Sequence, residues 1–257
     1  MDIDAGQGVV VRRCEISGGV KGIEVDAGAR ATIVNCLVRD NTSKGINVKD
    51  GYAEIWHCTV VGNQSDGIEV DDGGAVVANC IVANNGDAGI DHNAGKIEHT
   101  YNLLFGNAIN YEGTSAATGE ITLDPEFEGA ADYHLAYGSP AIDAGTSSSS
   151  ITSVDLEGRS RPNSGGYDMG CYEAPTFYFV RTDGDDANTG TGPDASSAWA
   201  TIDHAAETVS AGSTVYVQAG TYNEIVSPTV DGTEGSPIRF IGDRNGAVDG
   251  WGGGSVT

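Results

Sequence analysis

The sequence predicts an all-β fold: a right-handed parallel β-helix, or solenoid, with coils of about 22 residues and one short capping α-helix near 199–208. Three residue series predict it. Cys14, Cys36, Cys58 and Cys80 stand 22 residues apart. Asn41, Asn63, Asn85 and Asn107 repeat at the same interval, as do Gly45, Gly67 and Gly89, each followed by isoleucine (Ile46, Ile68, Ile90). Gly22-Ile23 is the first coil's copy, one residue short in the preceding turn. Residue types of unrelated chemistry that share one period mark a repeat architecture.

Within one period the pattern reads strand, turn, strand, turn. Ala31-Thr32-Ile33-Val34-Asn35-Cys36-Leu37-Val38 alternates as a strand. Arg39 to Lys44 is polar turn chemistry, and Gly45-Ile46-Asn47-Val48 is a second strand. One coil cannot bury its inward side chains alone. Coils stacked ~4.8 Å apart bury them in continuous columns. The expected columns are Val9, Ala31, Ala53, Ala75 and Ile97; the four cysteines; and Val25, Val48 and Val70.

The asparagines are expected at a bend between strands. There the residue tolerates left-handed backbone, and its amide can bond the matching amide one coil away. Adjacent coils would hold cysteines within the Cα separation a disulfide permits, roughly 4.4–6.8 Å, so disulfides stay open on distance. In-register Cβ vectors point the same way, however, which favours free thiols acting as small hydrophobes. Cys171 stands outside the series, and an odd count fits a non-disulfide role. Beyond the last cysteine, Asn102 takes the cysteine position, His99 enters an aliphatic column and His92 ends the valine column. Both histidines read as tolerated residues near the end of a regular stack rather than as ligands.

The chain has 257 residues and a formal net charge of −24. Charge of that sign repels phosphate backbones and anionic headgroups, so nucleic acid and membrane insertion are not expected. No stretch approaches the ~20 apolar residues of a membrane helix. Met1 stands directly before Asp2-Ile3-Asp4, which reads as mid-strand, so any native leader is expected to lie upstream or to have been removed.

Residues 124–174 change character. Asp124-Pro125-Glu126-Phe127 and Tyr133-His134-Leu135 precede Gly138-Ser139-Pro140-Ala141-Ile142-Asp143-Ala144-Gly145 and a serine-rich loop, Ser147 to Ser150. Then come Asp155-Leu156-Glu157-Gly158-Arg159-Ser160-Arg161-Pro162 and Gly166-Tyr167-Asp168-Met169-Gly170-Cys171-Tyr172-Glu173. This run resembles the closing segment of bacterial and archaeal surface proteins with pectate-lyase-like β-helices, where it follows the last regular coil and ends the domain. Residues 177–257 resemble the opening segment of the same family. Phe177 to Val180 is a strand, Trp199 to Ala206 a short amphipathic helix that plugs the first coil, Gly212 to Tyr222 the first coil, and Pro237 to Gly242 the start of the second. The resemblance implies three parts: coils in 1–123, a closing segment and linker in 124–176, and the opening of a next unit in 177–257. It also implies an extracellular or cell-surface location.

The fold this resemblance implies hosts polysaccharide lyases, galacturonan hydrolases, epimerases, adhesins and phage tailspikes, so fold alone does not choose a function. An exposed row beside the Gly-Ile strands offers Glu24, Asn47, Glu69 and Asp91, flanked by Asp26, Lys49, Asp71 and Asp72. Glu24, Glu69, Asp71 and Asp91 are the candidate metal ligands. No cofactor is required, and Ca²⁺ is the ion such hard oxygens would take. The plainer reading is a solvated acidic face. Lys49 is the only base in view, and nearby acids would raise its pKa, the wrong direction for a base. No catalytic residue is therefore assigned, and the reading leans away from an enzyme.

The chain order, middle, end, beginning, predicts head-to-tail assembly with copies of itself. Ile3, Val9 and Val11 at one end and Trp251 and Val256 at the other are the expected contact residues. Return of 177–257 past a stack ~25–30 Å tall is not expected, because Ala174-Pro175-Thr176 reaches only ~10 Å. The closing segment is not expected to act as the return path. The alternative function is a carbohydrate-binding or polysaccharide-cleaving β-helix.

Overall fold

A computed structural model describes every residue except 5, 148–152, 164, 234, 244–247, 249–250 and 253–254. Most of the serine-rich loop thus lies outside the described residues. The chain divides into two compact units, Met1–Ala174 and Pro175–Thr257.

The first unit is a parallel solenoid. Its first coils hold β1 (Asp2–Ile3), β2 (Val9–Arg12), β3 (Glu15–Ser17), β4 (Ile23–Val25), β5 (Arg30–Val34) and β6 (Leu37–Arg39). The middle coils hold β7 (Ile46–Val48), β8 (Tyr52–Trp56), β9 (Thr59–Val61), β10 (Ile68–Val70), β11 (Gly74–Ala78) and β12 (Ile81–Ala83). The last hold β13 (Ala88–His92), β14 (Lys96–Thr100), β15 (Leu103–Phe105) and β16 (Ile109–Glu112). Every third strand joins the same sheet: β1-β4-β7-β10-β13-β16, β2-β5-β8-β11-β14 and β3-β6-β9-β12-β15. Each coil therefore carries three strands, one more than the strand–turn–strand reading separated.

The added corner falls inside the stretch read as one strand, Ala31 to Val38. Arg13, Asn35, His57, Asn79 and Tyr101 adopt left-handed backbone with φ between 48° and 55°. They turn each long strand into the next sheet at the residue before the cysteine position.

The predicted columns are present. Ala31, Ala53 and Ala75 are buried, as are Cys36, Cys58, Cys80, Val25, Val48 and Val70. All five cysteines are free thiols. The Cys58 thiol is pushed well above its ordinary range, by burial first.

The asparagines form a buried ladder. Nδ2 of Asn41 donates to Oδ1 of Asn63 at 2.8 Å, Asn63 to Asn85 at 2.9 Å, and Asn85 to Asn107 at 2.9 Å. Each Oδ1 also accepts the backbone N–H of the preceding asparagine. The left-handed backbone expected at these residues lies one position earlier, at Asp40, Gly62, Asn84 and Gly106. The preceding residue makes the bend and frees the asparagine to point inward. The glycine series belongs to the same corner: a Cβ on Gly45 would stand 2.5 Å from Val60 Cγ1 and 2.8 Å from the Asn63 amide nitrogen.

A polar plug closes the last coil. Glu120 Oε1 lies 2.7 Å from His99 Nδ1 and accepts from Asn102 Nδ2 at 2.9 Å. Its Oε2 accepts from the Tyr111 hydroxyl at 2.7 Å and the Ala117 N–H at 2.9 Å. Burial would raise the Glu120 carboxyl, but these donors outweigh it and hold the group below its ordinary range. His99 and Asn102 are thus working parts of the end of the stack.

The closing segment does not stop at the last coil. After the hairpin of β17 (Phe127–Gly129) and β18 (Asp132–Leu135), it runs back along the left-handed corner. Asn79 Nδ2 donates to Thr146 O at 2.7 Å, and the Gly170 N–H to Asn79 O at 2.7 Å. Asn35 Nδ2 donates to Val154 O at 2.7 Å, and Arg13 Nε to Leu156 O at 3.0 Å. The strap therefore reaches the first coil at Leu156 and doubles back to the middle coils, where the Cys171 N–H donates to Thr59 Oγ1 at 3.1 Å.

In the second unit β19 (Phe177–Val180), β20 (Thr214–Val217) and β21 (Arg239–Gly242) form a parallel sheet. The helix, α1 (Ile202–Thr208), begins later than Trp199 because Thr201 is its N-cap, accepting from the His204 N–H at 3.2 Å. Trp199 is instead extended, bridged to Val180 and stacked on Tyr178. Helix residues Ala205 and Ala206 are buried, and Ala205 packs with Val180, Val215 and Val217.

The residues expected to stand open at the assembly ends are mostly covered. Ile3 and Val11 join the solenoid core, which Val9 packs against. Trp251 is buried by an edge contact with Phe179 and a 2.9 Å bond to Pro193 O. Val256 bridges Gly220 within its own unit. Side chains at these positions point into their own cores, and among the described residues β1, β2 and β3 are the terminal strands of their sheets.

Replacing Asn63 with Ala removes both sides of the ladder at one rung and should cost about 1–3 kcal/mol. An unchanged denaturant midpoint with unchanged slope would show that the ladder carries no stability.

Candidate functional site

Sheet β1-β4-β7-β10-β13-β16 positions the candidate residues. Glu24 sits in register with Asn47, Asn47 with Glu69, Glu69 with Asp91, and Asp91 with Glu112. The row was expected to be exposed, yet Asn47, Glu69 and Asp91 are buried. Side chains from the flanking turns cover it. Lys21 ion-pairs with Glu24 and donates to Asn47 Oδ1 at 2.9 Å. Lys44 ion-pairs with Glu69. Asn47 Nδ2 donates to Glu69 Oε2 at 2.8 Å and Asp71 Oδ2 at 3.1 Å. Asn93 Nδ2 points at Asp91 Oδ2, Glu69 Oε1 and Asp71 Oδ1 from 3.0 to 3.2 Å.

Of the four predicted metal ligands, the structure brings together Glu69 and Asp91, and adds Asp66. One carboxylate oxygen from each lies within 4.8 Å of the others. Asp71 joins through the Asn47 and Asn93 amides, whereas Glu24 is separated from Glu69 by the Asn47 rung. Asp66 was legible only by position, directly before the Gly67-Ile68 strand start. Burial first, then repulsion from Asp66, raises the Asp91 carboxyl above its ordinary range.

Lys49 is hydrogen-bonded to Asp26 at 2.8 Å, which raises its pKa, as its acidic surroundings predicted. It is not the only lysine on this face, because Lys21 and Lys44 lie there too. All three are tied to carboxylates, and an ammonium held by an anion is a poor proton acceptor.

A second buried titratable cluster holds the strap down. Arg161 Nη1 reaches Glu173 Oε1 at 2.9 Å and Asp168 O at 3.0 Å, touches His57 Nδ1, and Nη2 reaches Gly170 O at 3.0 Å. Glu173 also accepts the N–H groups of Asn163 and Asp168, and Asp168 those of Asp143 and Ala174. Asp155 accepts three successive N–H groups, from Glu157, Gly158 and Arg159. Asp155, Arg161, Asp168 and Glu173 are therefore structural, each satisfying buried backbone or a buried charge.

Residues 1–124 match a family model described as right handed beta helix region. This region is a right-handed β-helix. No curated protein matches the chain in sequence. The crystal structure of pectate lyase Pel9A is similar with 16% identity, covering 67% of this chain and 69% of that one at a TM-score of 0.38. Among the described residues, no helix is long and apolar enough to cross a membrane.

The strap of this β-helix should respond to pH. Burial, opposed by Arg161, pushes Glu173 up to about 8 and Asp168 up to about 6. Carboxyls that hold protons more tightly folded than unfolded lose native stability as pH rises through those values. His57, held well below its ordinary range by burial and by Arg161, adds the opposite slope only below about 6.5. The thermal midpoint should therefore fall between about pH 6.5 and about pH 8, and Glu173→Gln should flatten the fall. A midpoint that rises over that interval would contradict the assignment.

Proposed function

We propose that this chain is a structural unit of an extracellular or cell-surface β-helix protein, joined head to tail to further copies. The observation that carries the reading is the open backbone edge of the solenoid. β1, β2 and β3 each end their sheet with a strand partner on one side only. Parallel edges of this kind are templates for another strand and are rarely left uncovered. The complementary partner is the second unit's parallel sheet, in which β21 is the edge strand and β19 is already bridged to Trp199 on its far side. Unlike edges meeting unlike edges form a heterologous contact, which builds open filaments when it does not close. The asparagine ladder and the strap along the corner support a rigid rod rather than a moving catalyst.

A second reading, a carbohydrate-binding or polysaccharide-cleaving β-helix, is favoured by the Asp66–Glu69–Asp91 cluster beside Lys44. Against cleavage stands the pairing of Lys21, Lys44 and Lys49 with carboxylates.

Two measurements separate the readings. Light scattering and electron microscopy across a concentration series should show end-to-end oligomers, and a monodisperse monomer at the highest concentration would sink the rod. Incubation with pectin, alginate or xylan, with and without calcium, should release neither reducing ends nor unsaturated sugars. Product that disappears in Glu69→Gln or Asp91→Asn would turn the acidic face into an active site.

A further inference from the structure

We propose that Thr114, His99 and Glu120 form a hydrolytic site at the last coil, in which the threonine hydroxyl attacks a short, uncharged acyl ester. His99 Nε2 lies 2.9 Å from Thr114 Oγ1, and His99 Nδ1 lies 2.7 Å from Glu120 Oε1. A hydroxyl within hydrogen-bond reach of a base, which a third group orients in turn, is the geometry of an activated nucleophile.

The carboxylate fixes where the protons sit. Burial would raise the Glu120 carboxyl, but the donors around it, His99 first, keep it below its ordinary range. It is therefore an anion that only accepts, and His99 Nδ1 must carry the hydrogen between them. In the neutral ring Nε2 is then an acceptor, and the Thr114 hydroxyl donates to it. This is the tautomer a base needs in order to take a hydroxyl proton. The imidazole is also held in place, because His99 is buried and its ring stacks on Tyr111 at 5.8 Å.

The hydroxyl lies in an open stretch of chain. Thr114 is half-buried, whereas Gly113, Ser115 and Ala116 are exposed. Gly113 has a φ of 66°, and a Cβ there would run into His92 O, so the position before the nucleophile carries no side chain. The N–H groups of Ser115 and Ala116 follow it directly and have no hydrogen-bond partner among the described residues. Free donors beside a nucleophile are what a developing oxyanion requires. The exposed Glu112 and the Glu120 anion disfavour a charged acyl group, so an acetyl ester of an alcohol is the substrate class.

In the first step Thr114 Oγ bonds to the acyl carbon while its proton passes to His99 Nε2, and Glu120 offsets the imidazolium. The bond from the acyl carbon to the alcohol oxygen breaks, and His99 returns the proton to that oxygen. Water then adds its hydroxyl to the acyl-threonine and its proton to His99. The carboxylic acid leaves, and His99 hands the proton back to Thr114 Oγ.

The experiment measures hydrolysis of p-nitrophenyl acetate and labelling by a fluorophosphonate on the whole chain. Wild type should turn over the ester faster than buffer, and peptide mapping should place the label on Thr114. Thr114→Val, which keeps the branched shape without the hydroxyl, should lower turnover at least roughly a hundredfold. Thr114→Ser should keep both turnover and label. Mapping of the label on wild type stands whether or not a variant folds. Turnover no faster than buffer, a label that is absent or on another residue, or full turnover in Thr114→Val would overturn the proposal.

Discussion

Parallel stacking in register governs this molecule, because a coil has no interior of its own. Its valines, alanines and cysteines face a core only when the next coil places the same residues a strand spacing away. The corners obey the same constraint. An asparagine amide turned inward has a donor and an acceptor to satisfy; the asparagine 22 residues on accepts from it, and the one 22 residues back donates to it. The glycines keep side-chain volume out of that corner, so three sequence series describe one structural device.

Stacking also creates a problem at its ends and along its flank. Where the cysteine column stops, Asn102 takes over the Cys80 N–H at 2.9 Å, and Glu120 gathers the polar groups of the last turn. Along the flank, the left-handed corner at Arg13, Asn35, His57 and Asn79 presents side chains to the strap. The strap fastens to several coils with Arg161, Asp168 and Glu173 as its buried lock. Fixing one segment to successive coils couples them, so local opening of one rung is resisted by its neighbours.

The acidic face is where stacking works against stability. Register puts Glu69 directly beside Asp91, and no shift within a coil can separate them. Lysine and asparagine side chains relieve part of that repulsion, which explains why the row is covered rather than solvated. The part left over, at Asp91, is what distinguishes this patch from ordinary surface charge.

Period, columns, free thiols and the amide ladder were determined by the sequence alone, because each depends only on residues at one fixed spacing. The resemblance of 124–174 likewise marked a non-coil segment before its path was known. Three things waited for the tertiary structure. The corner before each cysteine was hidden, since Arg13, Asn35, His57, Asn79 and Tyr101 share a backbone angle and not a residue type. The strap's route depended on contacts more than 60 residues distant, such as Asn79 to Thr146. Asp66 joined Glu69 and Asp91 only because a turn residue of one rung and strand residues of two rungs converge across the face. Spacing along the chain specifies what repeats, and only packing between rungs decides which unlike residues meet.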